Sequence, residues 1–227
     1  MKKIISIMML MIISLSVYAN DIYINQSGAT LDLDVTQDGQ NNTVGSSTTA
    51  SSVIGATTNL AITQIGDSNV MTFDVNGANY TGTFSVTGNT NNIDFNCDSG
   101  GSNSSCGTAT ASIVWVGSSS DIDIDIGETS SATGATVSIT GASGSDSNTI
   151  LGTIDGNSAI LTLSVNGDTN NFLVDIDGNG DSVGHTYIHT HTGSIADVDI
   201  TQSGIYDNMI TLTTSGDNAD IDIIQRD

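Results

Sequence analysis

Apolar residues recur at alternate positions in short runs along this chain, and the runs themselves recur. Ile22 and Ile24, Leu60 and Ile62, Met71, Phe73 and Val75, Leu161 and Leu163, and Ile221 and Ile223 are each separated by single, mostly polar residues. A period of two predicts strands with one buried face. Glycines punctuate the runs at Gly28, Gly39, Gly66, Gly77, Gly88, Gly117, Gly141, Gly167, Gly178, Gly193, Gly204 and Gly216, and many neighbours are eleven residues apart. Four positions before these glycines, and before Asp227 one step beyond Gly216, every residue except His189 is apolar. The column predicts a shared core. Two positions before them the column begins with Gln26, Gln37 and Gln64, turns apolar at Val75, Val86, Trp115, Ile139, Val165 and Ile176, and returns to Gln202 and Gln225. Asn42, Asn69, Asn91 and Asn170 follow their glycines by three residues. Glycine and asparagine both accept the positive φ of tight turns.

One strand and turn of eleven residues cannot bury its apolar face alone, whereas stacked copies can. The expected fold is therefore all-β: a parallel β-solenoid of strand–turn units, about 22 residues to each two-unit rung. A transmembrane barrel would show aromatic girdles and strands of about 9–11 residues, and neither is present. An antiparallel sandwich fits short strands but predicts no fixed eleven-residue phase. Four Ser/Thr/Gly/Asn-rich stretches, near 43–59, 97–109, 128–133 and 142–158, break the regularity and are expected as flank loops. The alternating run Asp121 to Ile126 lies one residue out of phase with Gly127, as a bulged strand would. No linker divides residues 20–227, which are expected to form one domain.

Residues 1–19 predict a secretory signal peptide. Lys2 and Lys3 precede the apolar run Ile4 to Val17, and Val17-Tyr18-Ala19 fits cleavage before Asn20. The run is shorter than the about 20 residues a spanning helix needs, so no membrane span is expected after cleavage. The expected location is extracellular or on the surface of a bacterium, with the periplasm in transit. In that oxidising setting Cys97 and Cys106 are most simply a disulfide closing the polar loop between them. The rival, a metal held by two thiols, has no nearby histidine in sequence.

The chain has 227 residues, with 3 Lys+Arg against 25 Asp+Glu and a net charge of -22. Beyond the leader only Arg226 is cationic. Nucleic-acid binding lacks a basic footprint, and anionic substrates would meet no Arg or Lys clamp. Acids are so numerous that some pair satisfies any catalytic spacing, and no Gly-x-Ser-x-Gly elbow or phosphate loop occurs. No enzyme is expected. His185, His189 and His191 share parity on one strand; imidazoles two apart could bind a metal, but their columns face inward, favouring a hydrogen-bonded core group. No cofactor is expected beyond loosely held divalent cations on the acidic surface.

The units Gln26-Ser27-Gly28, Gln37-Asp38-Gly39-Gln40-Asn41-Asn42, Gln64-Ile65-Gly66-Asp67-Ser68-Asn69 and Gln202-Ser203-Gly204 resemble the curlin repeat. That repeat has a Gln-x-Gly-x-x-Asn core and a second Gln eleven residues on, the distance from Gln26 to Gln37. The motif is dense towards both ends of the mature chain and sparse in its middle. The resemblance implies an exported subunit of a bacterial extracellular amyloid fibre, fimbrium-like, with roles in biofilm and cell adhesion. It implies self-association into fibres, with a secretion or nucleation partner. It also gives Gln26, Gln37, Asn42, Gln64, Asn69, Gln202 and Gln225 the role of amides laddered from rung to rung.

Physical chemistry agrees: buried amides are costly unless paired, and stacked amides pair along the axis. Strand edges are guarded by neither Pro nor Lys in the mature chain. Outward acids such as Asp34, Asp74, Asp175, Asp199 and Asp222 would oppose stacking, and protonation, salt or divalent cations would relieve that repulsion. The competing expectation is a non-polymerising extracellular solenoid that binds a partner, a glycan or divalent cations through its acidic face.

Overall fold

A computed structural model describes residues 21–226 apart from 40, 46–50, 67, 77–78, 89–90, 98–107, 118, 128–133, 143, 179–183 and 206–207, and only the backbone of Asn76. The expected signal peptide therefore lies outside the described residues, as do Gly77, Cys106 and the 128–133 stretch. The described chain is all-β, a single sheet of seventeen strands.

The odd-numbered strands form one wall: β1 (Asp21–Ile22), β3 (Thr43–Val44), β5 (Val70–Asn76), β7 (Asn92–Cys97), β9 (Asp121–Ile126), β11 (Thr149–Asp155), β13 (Asn170–Asp177), β15 (Ala196–Ser203) and β17 (Asp220–Arg226). The even-numbered strands form the other: β2 (Asn25–Asp38), β4 (Ser51–Ile65), β6 (Asn79–Thr87), β8 (Thr108–Val116), β10 (Gly134–Gly141), β12 (Ile160–Asn166), β14 (Thr186–Thr192) and β16 (Met209–Ser215). Every pairing is parallel, and each strand lies beside the one two places on. β2 and β4 are long because their first residues belong to the odd wall before the strand rounds a corner; hence Val53 of β4 pairs with Val75 of β5. Parallel pairing at a fixed two-strand offset is the β-solenoid that the columns predict. A rung takes 22 residues where nothing is inserted, as from Val70 to Asn92, and 29 from Asn79 to Thr108.

The apolar columns meet between the walls. Leu60, Ile62, Phe84, Ile113, Val174 and Ile200 are all buried in one continuous core. Phe73, Phe84, Phe95 and Tyr80 form its aromatic centre, with centroids 4.9 Å apart for Tyr80 and Phe95 and 5.9 Å for Phe84 and Phe95. Burying each such ring contributes about 1.5–3 kcal/mol. Their alternation with outward polar residues fixes the register, since a one-residue slip would turn the whole set to solvent.

Five expectations need correction. The stretches 43–59 and 142–158 are not loops throughout: Thr43–Val44 is β3, Ser51 to Asn59 belong to β4, and Thr149–Asp155 is β11. Their Ser and Thr content hid an ordinary inward series, Ser51 and Val53 in the first case and Ile150, Gly152 and Ile154 in the second. The stretch 97–109 likewise takes in Cys97, which ends β7, and Thr108 and Ala109, which begin β8. Asp121 to Ile126 carries no bulge; Ile122, Ile124 and Ile126 pair in step with Ile93, Phe95 and Cys97, and the irregularity belongs to the turn.

Gly141 is not a turn glycine. It lies opposite both Trp115 and Val165, so Val137 and Ile139 sit two positions from their assigned columns. A shift of two preserves the face, which is why the pattern concealed it. Gly141 is there for space: an added Cβ would lie 2.5 Å from Trp115 Cζ2. Gly141→Ala is expected to lower stability by about 1–3 kcal/mol through overpacking, read as a fall in melting temperature. An unchanged melt would show that the indole can move aside.

Candidate functional site

The turns leading into the odd wall carry a ladder of buried amides. Each rung approaches the last so closely there that side chains are excluded: a Cβ on Gly66 would lie 1.7 Å from Gly39 O, and one on Gly88 1.7 Å from Gly66 O. Three residues on, Asn42, Asn69, Asn91, Ser120, Asn148 and Asn170 stack in the interior, all buried. Each asparagine can satisfy its own turn and its neighbour together. Asn91 Nδ2 donates to Gly88 O at 2.6 Å and to Ser120 Oγ at 3.2 Å. Asn148 Nδ2 donates to Ser145 O and to Asn170 Oδ1, the latter at 2.9 Å, while its Oδ1 accepts from Ser120 N at 2.9 Å. With its nitrogen towards Asn91, the Asn69 amide donates to Asn91 Oδ1 at 2.6 Å and to Gly66 O at 3.0 Å. From Asn69 to Asn170 the donors then run the same way along the axis, as stacked amides polarise one another best. The series stops at Ala196, which has no amide to continue it.

The glutamines form separate groups. Gln64 Nε2 donates to Gln37 Oε1 at 2.7 Å on the even wall. Gln225 Nε2 reaches Gln202 Oε1 at 3.5 Å on the odd wall, far along the axis. Gln26 stands on the odd wall at the first rung, half-buried and opposite Val53. The structure thus brings together Gln37 with Gln64, Asn42 with Asn69, and Gln202 with Gln225, but does not join all seven. The sequence reading placed Asn91 and Asn170 in turns but not in the ladder, and missed Asn148 and Ser120 altogether. Ser145 replaces the glycine that would have marked Asn148, although the spacing of three from Ser145 was available as a signal. Of the other proposed turn glycines, Gly28 and Gly204 lie at corners between walls, as does Gly178; Gly39 and Gly167 join Gly66 and Gly88 in turns that carry ladder amides, and Gly193 and Gly216 occupy the equivalent turns beyond the ladder's end.

Cys97 is buried and disulfide-bonded, facing the core opposite Val75 and Ile126. The histidines are all buried. His185 Nδ1 accepts from Ala159 N at 3.0 Å at a corner, apart from the other two. On β14, His189 Nδ1 and Tyr187 OH share a hydrogen bond of 3.1 Å, and His191 Nε2 donates to Gly167 O at 2.9 Å. Burial first, then the neighbouring His191, push the His189 imidazole down to about 3. Both β14 rings stand edge-on to Phe172, with centroids 4.5 and 5.6 Å away. Among the described residues no three His, Cys, Asp or Glu side chains are grouped to hold a metal ion.

Carboxylates concentrate on the odd wall. Burial raises Asp94, reinforced by Asp74, Asp125 and Asp121; burial also raises Asp74, and it raises Asp175, where the neighbouring Asp177 charge adds to the effect. Asp34 departs from the expected row, since it lies on the even wall beside Ala61. Among the described residues no helix is long and apolar enough to cross a membrane. No protein-family model, curated protein or solved structure matches this chain.

Proposed function

We propose that the protein is an exported structural subunit of an extracellular, curlin-like fibre, assembled by stacking end rung on end rung. The correspondence of the two end rungs carries this reading. On the first rung of the odd wall the inward residues are Ile22, Ile24 and Gln26; on β17 they are Ile221, Ile223 and Gln225. Ile223 is 47% exposed, whereas its partner one rung below, Ile200, is 1% exposed. A second copy placed in phase would set isoleucine on isoleucine and extend the Gln202–Gln225 pair into Gln26. Among the described residues nothing caps β17, and solenoids that remain single need polar caps. Unpaired strand edges recruit further strands.

The test uses purified residues 20–227, incubated and imaged by electron microscopy with Congo red staining. Fibres are expected for the natural sequence. Ile223→Lys, which places a charge in the rung-to-rung contact, is expected to abolish them while leaving circular dichroism unchanged. A chain that stays monomeric at high concentration overturns the fibre reading and leaves the non-polymerising one.

A further inference from the structure

The two walls present opposite chemistries to solvent. After β2, every carboxylate within a strand lies on the odd wall, from Asp74 in β5 to Asp222 in β17. The even wall from β4 to β16 carries no charged residue in any strand; outward it is mainly threonine and serine, with a few apolar side chains. Register aligns these hydroxyls. One column runs from Thr63 through Ser85, Thr140, Ser164 and Thr190 to Thr213, interrupted by Val114. A second column lies two residues before it, with Thr83, Ser112, Ser138, Thr162 and Thr211 broken by Ala61 and Ile188, whereas the column two residues after it is mixed, with Ile65, Val116 and Asn166 among its hydroxyls. Neighbouring hydroxyls are thus about 4.8 Å apart across strands and about 6.6 Å apart along them.

We propose that this even-numbered wall binds the surface of ice. A rung-stacked parallel sheet holds its outward side chains on a regular mesh, and ice repeats its oxygen atoms on a mesh of comparable dimensions. Threonine suits such a surface because its branched Cβ restricts χ1, so little side-chain freedom remains to be lost on adsorption. Its methyl and hydroxyl let water bond at fixed points while being excluded between them. The absence of charge matches a neutral lattice, and the acids on the far wall keep the molecule hydrated there. A polysaccharide crystal is the other ordered, uncharged surface, but sugars stack on aromatic platforms. Tyr80, Phe84, Trp115 and Tyr187 on this wall all point inward and are buried. The proposal does not depend on fibre formation.

Purified residues 20–227 should be taken up into slowly growing ice, shape ice crystals and hold their growth below the melting point. Thr136→Lys and Thr190→Lys, both at exposed outward positions of this wall, are expected to lose that activity while melting thermally like the natural sequence. Asp197→Asn on the opposite wall is expected to retain it. Exclusion from ice overturns the proposal, as does equal loss in the Asp197 variant or adsorption to powdered chitin or cellulose in place of ice. If one lysine variant fails to fold, the other decides.

Discussion

Replacing Asn148 by alanine is expected to lower the melting temperature by about 10 °C, the largest effect of any single side chain in the amide ladder. The truncation removes a donor to Ser145 O and Asn170 Oδ1 and the acceptor for Ser120 N. Those partners are enclosed between rungs, where water cannot replace the lost bonds. Asn170 Oδ1 keeps the backbone N–H of residue 148, so Ser145 O and Ser120 N are the groups stranded; at about 1–3 kcal/mol each the sum is about 2–6 kcal/mol, and a chain of this size loses about 2–4 °C per kcal/mol. Asn171→Ala, one residue from Asn170 but outward and exposed, should change stability by less than about 0.5 kcal/mol. Equal melts for the two variants would show that the ladder is ornamental. Serine should be better tolerated than alanine at 148, because at position 120 a serine hydroxyl already continues the ladder by accepting from Asn91.

The contrast between Asn148 and Asn69 shows what a sequence discloses about such a fold. Asn69 follows a glycine by three residues, and that glycine is required because a Cβ would strike the rung below; spacing and chemistry mark the same site. Asn148 follows Ser145, so no glycine flags it. Facing is similarly legible wherever apolar and polar residues alternate, as at Ile122, Ile124 and Ile126. Register is less so, because Gly141 shows that a shift of two keeps every residue on its own side. The division of charge between walls was hidden for another reason. Successive units along the chain belong to opposite walls, so the acids of β9 and the hydroxyls of β10 read as one mixed sequence until the rungs are assigned. The end rungs were legible because Ile22, Ile24 and Gln26 repeat the types of Ile221, Ile223 and Gln225 without insertion. Which amides meet was not, since Gln26 and Gln37 are eleven residues apart yet stand on different walls.

Acidification from pH 7.5 to pH 5 is expected to destabilise the fold through its histidines, even though it weakens the repulsion between outward carboxylates. His189 has an ordinary value of 6.5, and burial holds it at about 3 in the fold. Above 6.5 the ring is neutral in both folded and unfolded chains, and its contribution is complete. As pH falls through 6.5 the unfolded chain takes up a proton that the folded chain refuses, so stability is lost progressively down to about 3. At pH 5 the loss is about 2 kcal/mol, a fall of roughly 4–8 °C. Burial also lowers His185, which adds to the loss.

Asp74, Asp94 and Asp175 act in the opposite direction. Their raised values mean that the folded chain accepts protons more readily than the unfolded one, so acid relieves their cost, chiefly as pH approaches the carboxyl range. The window between pH 6.5 and 5 therefore belongs mainly to the histidines. The informative variant combines His189→Leu with Tyr187→Phe, which removes the imidazole without stranding the tyrosine hydroxyl. Leucine matches Leu163 and Leu212 on the adjacent rungs, and the phenyl ring sits between Leu161 and Ile210. Its melting temperature should fall by less than that of the natural chain between pH 7.5 and 5, since His185 alone of the two lowered histidines then contributes. Identical falls would place the acid sensitivity elsewhere. Because β14 lies one even-wall rung from β16, the same linkage favours opening of the end that stacking uses, and it sets in before carboxylate protonation can relieve the repulsion between rungs.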